Sequence, residues 1–213
     1  MNKPPIKPPP KPGQVKVFKA LYNYNAQRPE ELSFREGDLI YVSDMITDKN
    51  WWKARVNNRD GFVPSNYIEE QTESLLNPIH DAAKRGNLDF LKECIQNRVG
   101  INSLDRAGNT ALHWAAYGGH KDCVLALLGV HNIILDVQNK LGDTALHNAA
   151  VKNHPDIVEI LVDKGAKIDI LNNDSKAPLD LAIHSRCKSL LFFQETNNNT
   201  ENNDYLDEEN DSD

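Results

Sequence analysis

The sequence predicts a multidomain chain: a small all-β barrel followed by an all-α stack of helical repeats, with disordered N- and C-terminal tails. Three observations carry this. A nine-residue string occurs twice, as G-N-T-A-L-H-W-A-A at Gly108–Ala116 and as G-D-T-A-L-H-N-A-A at Gly142–Ala150. Short apolar runs separated by turn signals fill Gln14 to about Glu69, the pattern of a small barrel. The segments outside these blocks have almost nothing to bury: Met1–Gly13 is proline-rich, and the stretch after Phe193 is polar and acidic.

Met1–Gly13 reads M-N-K-P-P-I-K-P-P-P-K-P-G. Proline fixes φ and removes backbone donors, so the segment favours polyproline II. Pro5–Pro8 and Pro9–Pro12 both have PxxP spacing. Two readings stand: a stiff solvated lead-in, or a ligand for a polyproline-binding domain.

The barrel block is predicted strand by strand. Val15, Val17, Ala20 and Leu21 begin one, and Leu32-Ser33-Phe34 alternates after a polar loop at Asn25–Glu31. Glu36-Gly37-Asp38 is a turn signal, and Leu39–Val42 is strand-like. Trp51 and Trp52 are adjacent, which places one on each face of a strand. Asn57–Gly61 is a hairpin turn, followed by Phe62–Ile68. Several motifs here resemble the Src-homology-3 (SH3) family: Ala20–Tyr24 for A-L-Y-D-Y with Asn23 in place of Asp, the tryptophan pair, and P-S-N-Y at Pro64–Tyr67. The resemblance implies a groove that holds polyproline II peptides between aromatic walls. By the family's pattern Tyr22, Tyr24, Trp51, Pro64 and Tyr67 line it, Asn66 bonds a peptide carbonyl, and Trp52 is packing. Glu31 aligns with the acidic position that takes a basic ligand residue, and Glu30 precedes it; a carboxylate can receive Arg bidentately. The alternative for both acids is a solvated loop.

Glu70–Ser74 reads as a short polar link. The repeats follow. His80, His113 and His147 are 33 and 34 residues apart, and Asp180 stands 33 residues further on. A fixed period of this size marks a stacked repeat array. Gly108 and Gly142 suit positive φ, Thr110 and Thr144 suit helix caps, and the Ala pairs allow close helix approach. Second helices are expected at Leu88–Ile95, Asp122–Leu128 and Asp156–Val162, where apolar residues fall at helical spacing. One helix pair cannot bury its own apolar face, so the copies must stack. The repeated T-A-L-H-x-A resembles the ankyrin motif over roughly Leu75–Phe193. Copy one lacks the leading turn, and copy four loses Gly, Thr and His, as a capping repeat does. Within the copies, one position is Asp81, then Trp114, then Asn148. A core site would not accept Asp and Asn, so Trp114 is expected on the surface, and Tyr117 three residues on shares its face. Both are candidate partner anchors on the ankyrin surface; the alternative for Trp114 is packing against a neighbouring turn or domain.

Composition excludes several classes. The 213 residues carry a net charge of −7. Every charged residue after Lys188 is acidic, so the rest of the chain is near neutral and offers no footprint for nucleic acid. No apolar run is long enough to insert in a membrane, and the N-terminus lacks the apolar core of a secretory signal. Cys94, Cys123 and Cys187 are an odd, scattered set that fits a reducing compartment. Cys94 and Cys123 align with apolar positions of other copies and are expected in the core. The histidines lack metal-ligand spacing. Glycine-rich phosphate loops and nucleophile elbows are missing as well. No enzyme activity, cofactor or metal is expected.

The predicted organisation is a lead at residues 1–13, the SH3 domain at 14–70, ankyrin repeats at 71–194 and an acidic tail at 195–213. In the tail, Tyr205 is a candidate phosphorylation or docking site, the alternative being a solubilising segment. The whole order resembles the osteoclast-stimulating factor family of small intracellular adaptors. That resemblance implies a monomeric cytoplasmic adaptor with an indirect role in promoting osteoclast formation and bone resorption. Its SH3 domain would bind proline-rich PxxP partners and its repeats a second protein. The alternative is a non-catalytic regulatory or inhibitory subunit that holds an enzyme through the repeats.

Overall fold

The computed structural model describes residues 15–203. The PxxP lead, and Tyr205 with the end of the acidic tail, lie outside the described residues. The chain forms two compact units, residues 15–79 with Lys92–Gly100, and His80–Leu91 with residues 101–203.

The first unit is built on strands β1 (Lys16–Ala20), β2 (Leu39–Asp44), β3 (Trp51–Val56) and β4 (Arg59–Pro64), then helix α1 (Ser65–Gln71) and strand β5 (Thr72–Leu75). They make one antiparallel sheet in the order β4-β3-β2-β1-β5. Alternation decides which side chains enter the core. On β3, Trp52, Ala54 and Val56 are buried while Lys53 faces out. With Phe18, Leu32, Phe34, Ile40, Val42, Val63 and Ile68 they form a single cluster. Each large member contributes about 1.5–3 kcal/mol by leaving water. The β3–β4 turn is tighter than the Asn57–Gly61 span expected. Val56 pairs with Arg59, leaving Asn57 and Asn58 at φ 48° and 63°, and asparagine tolerates this region well enough to close a two-residue hairpin.

Three expectations are corrected in this unit. Leu32-Ser33-Phe34 is not a strand; the loop is tied by isolated bridges from Tyr24 to Phe34 and from Glu31 to Phe62. Ser65–Ile68 is helical rather than extended, and the helix buries Ser65 and Ile68. The presumed link does not end the sheet at Glu70: Thr72–Leu75 pairs with β1, Val17 opposite Leu75 and Ala20 opposite Thr72. The edge of β1 offers unpaired backbone groups, and a polar segment can satisfy them without apolar side chains.

The second stretch continues with α2 (Pro78–Arg85), α3 (Leu88–Gln96), α4 (Ala111–Gly118), α5 (Lys121–Leu128), α6 (Ala145–Val151), α7 (Pro155–Asp163), α8 (Pro178–Leu181) and α9 (Ser185–Asn203). The unit boundary runs through α3. First helices pack on first helices, α4 on α6 and α6 on α8, and second helices on second helices, α5 on α7 and α7 on α9. Ala115, Ala116, Ala149 and Ala150 are fully buried at these seams. Thr110 and Thr144 cap α4 and α6, each hydroxyl accepting the backbone N–H of the histidine three residues on. Gly142 sits at φ 79°, and an added Cβ would lie 2.6 Å from the Asn173 nitrogen in the next loop. Cys94, Cys123 and Cys187 are free and buried, as expected for the first two.

The histidines join neighbouring copies. Thr110 N–H donates to His113 Nδ1 at 3.2 Å, which leaves the Nε2 proton to meet the Asp143 carbonyl at 3.0 Å. His147 repeats this with Thr144 N–H at 3.1 Å and the Lys176 carbonyl at 3.1 Å. His80 reaches the Ser103 and Asn109 carbonyls at 2.8 and 3.0 Å. Burial lowers the pKa of all three rings. In copy four Asp180 holds the place instead, accepting the Ala177 N–H at 2.9 Å.

The acidic tail was expected to be disordered from Glu195. The structure instead carries α9 through to Asn203. Extending an existing helix adds one bond per residue with no new nucleus, so polar residues can follow it.

Candidate peptide groove and repeat surface

The groove follows from the sheet that supports it. Since Trp52 points into the core, Trp51 must leave the opposite face, directly across from Pro64. The loop before β3 is held by Asp48, whose Oδ1 accepts from Asn50 N–H at 2.7 Å and Trp51 N–H at 3.2 Å. Ser65 then fixes Pro64–Tyr67 against this loop: its hydroxyl donates to the Lys49 carbonyl at 2.8 Å and its N–H to the Asn50 carbonyl at 2.8 Å. Across the groove, Tyr24 stacks on Phe34 at 5.3 Å between centroids and meets Tyr67 at 5.0 Å. Tyr67 hydroxyl donates to the Asn23 carbonyl at 3.0 Å. The wall is therefore rigid at both rings.

The result is a concavity of about 380 Å³ lined by Tyr24, Gln27, Arg28, Glu31, Trp51, Pro64, Asn66 and Tyr67. It brings together six of the eight residues expected. Tyr22 and Glu30 are not in the lining. Tyr22 is 60% exposed. Glu30 accepts Phe62 N–H at 3.0 Å through its backbone carbonyl, with the residue itself exposed to solvent. Gln27 and Arg28 also line the groove. The sequence signal for Arg28 is its place three residues before Glu31, the spacing of an ion pair across a turn.

Glu31 is not the free receptor that the loop's acidity suggested. Its side chain is 2% exposed. Oε2 accepts from Tyr24 hydroxyl at 3.0 Å and Gln27 N–H at 2.7 Å. Oε1 faces the Arg28 guanidinium at 3.8 Å. Burial, and then the bond to Glu31, raise the Tyr24 phenol above its ordinary range. One oxygen thus organises the loop, and the other points toward a guanidinium.

On the repeats, Trp114 is half-buried rather than open, and its indole N–H donates to Asp105 Oδ2 at 2.8 Å. Tyr117 is 43% exposed. The two rings meet edge to face at 6.1 Å and 74°. Among the described residues no helix is long and apolar enough to cross a membrane.

Comparison with known proteins agrees with this architecture. A model of the SH3 domain matches residues 19–65, and models of ankyrin repeats match 79–128 and 126–203. These are interaction modules, so the chain has the make-up of a protein-interaction adaptor. Osteoclast-stimulating factor 1 of Sus scrofa is 56% identical over 98% of this chain and 99% of its own length. The protein of the same name from Gallus gallus is 58% identical over 92% and 96%, and that from Xenopus laevis 55% over 98% and 99%. With an SH3 module, ankyrin repeats and near-complete colinearity at this identity, the chain belongs to the osteoclast-stimulating factor 1 family.

Proposed function

We propose that this chain is a monomeric cytoplasmic adaptor whose groove binds PxxP segments and whose repeats hold a second protein. The observation that carries the reading is the convergence of Tyr24, Tyr67, Trp51, Pro64 and Asn66 on one concavity. A polyproline II ligand turns every three residues and has few donors. Flat aromatic walls hold its proline rings, and Asn66 supplies one bond to a carbonyl. A basic ligand residue would be received at Glu31 Oε1, displacing Arg28. Arg28 is 67% exposed and can return to solvent, and because the Glu31 side chain is only 2% exposed the incoming guanidinium must take its place on a buried carboxylate. In the same reading, the osteoclast stimulation named in the relatives is an output of assembly rather than of catalysis.

The test is titration of the full chain with an Arg-containing PxxP peptide. Trp51→Ala is expected to remove binding, at a cost of ~2 kcal/mol or more for a lost aromatic anchor. Circular dichroism should stay unchanged, since Trp51 lies outside the buried cluster. Equal affinity for the variant and the original would end the groove assignment.

A further inference from the structure

The repeat surface around Trp114 and Tyr117 carries two lysines. Lys84 Nζ stands 4.6 Å from the Trp114 ring centre, and Lys152 Nζ stands 4.3 Å from that of Tyr117. Both lysines are exposed. They come from copies one and three, and the rings from copy two, so the four side chains form a strip across three successive copies.

Neither lysine is held by a carboxylate. The ion pairs found among the described residues involve neither lysine. Nearby Asp81 is taken by Arg85 at 3.1 Å. Asp105 keeps its charge, its Oδ1 accepting Ala107 and Asn109 N–H and its Oδ2 the Trp114 indole, so two ammonium groups stand over the rings against one carboxylate at their edge. A cation over an aromatic face keeps its full charge and its outward N–H donors. The rings therefore fix where the ammonium groups stand without neutralising them. In a chain of net charge −7, this is a local positive site with an apolar centre.

We infer that this strip docks an extended acidic segment of a partner protein, with an apolar side chain seated against Trp114 and Tyr117 and carboxylates on Lys84 and Lys152. Charge complementarity names the occupant: a basic segment would be repelled at both ends, and a neutral one would leave both cations unmet. The inference rests on the reading that the repeats hold a second protein, and it specifies that protein's chemistry. This chain's own Asp204–Asp213 has similar composition, so the experiment separates it as a rival occupant.

The probe is a labelled peptide with acidic residues on both sides of a Leu-Phe pair, followed by fluorescence anisotropy. The full chain should bind it. Lys84→Glu with Lys152→Glu should weaken it about tenfold or more, as should replacing the acids of the peptide by amides, and circular dichroism should show an intact fold. If the amide peptide binds equally well and Trp114→Ala abolishes it, the surface still docks a partner but the acidic preference is overturned. If only a chain ending at Asn203 binds the acidic peptide, the occupant is this chain's own tail, and the partner segment is overturned. If neither peptide binds either chain, the docking strip itself is overturned.

Discussion

Replacing Glu31 separates its two oxygens. Oε2 holds the Asn25–Glu31 loop through Tyr24 hydroxyl and Gln27 N–H, while Oε1 faces the Arg28 guanidinium. Bonds to a charged acceptor contribute about 1.5–3 kcal/mol and neutral ones about 0.5–1.5 kcal/mol. Glu31→Gln keeps an oxygen for the loop and loses the charge, so the barrel should lose about 1–2 kcal/mol, with the half-exposed Tyr24 at the lower end. Glu31→Ala removes both bonds and should cost about 3–5 kcal/mol. A barrel of about sixty residues has only ~3–9 kcal/mol in total, so the Ala variant stands near its unfolding threshold. Native-state hydrogen exchange read on β2, β3 and β4 reports this loss directly. Peptide titration then reports Oε1: Gln should weaken an Arg-containing PxxP ligand and leave its Ala-substituted counterpart nearly unaffected. The reasoning is falsified if Glu31→Ala leaves exchange in the barrel unchanged, for then the inward bonds hold nothing.

Two further outcomes concern the repeats. Burial depresses the folded-state pKa of His80, His113 and His147, so the unfolded chain binds protons first as pH falls below about 6.5. Their contribution is complete above that value and is lost as pH falls through the depressed folded values. Urea midpoints of the repeats should therefore drop between pH 7 and pH 5, and a flat profile would contradict the neutral-ring assignment. Gly142→Ala forces a side chain into φ 79° with Asn173 nitrogen 2.6 Å away, whereas at Gly108 the nearest atom is Lys140 nitrogen at 3.0 Å. The Gly142 variant should lose more stability by thermal melting, and the reverse order would show that contact distance does not set the cost.

Periodicity made the repeats legible. Thr110 and His113 stand three apart, as do Thr144 and His147, and the capping geometry is local enough to follow from that spacing. The core side of β3 was equally readable, because Trp51 and Trp52 cannot share a face. What the sequence hid was non-local. Glu31 meets Gln27 N–H and Tyr24 hydroxyl only after the loop folds back, and a carboxylate turned inward reads the same in sequence as one turned outward. Strand β5 was hidden because Thr72–Leu75 has little apolar pattern of its own; the free edge of β1 recruits it. Helix α9 ran past Glu195 because its direction was already set upstream at Ser185.

The histidine links also give the array a direction. Each ring donates a hydrogen bond to a carbonyl belonging to the following copy, so every copy carries a claim on its successor. Asp180 breaks this succession, because its carboxylate turns back to the Ala177 N–H of its own copy and brings no ring nitrogen that asks for another carbonyl. The terminus of the stack is thus written as a change of side chain, from one that reaches forward to one that closes on itself.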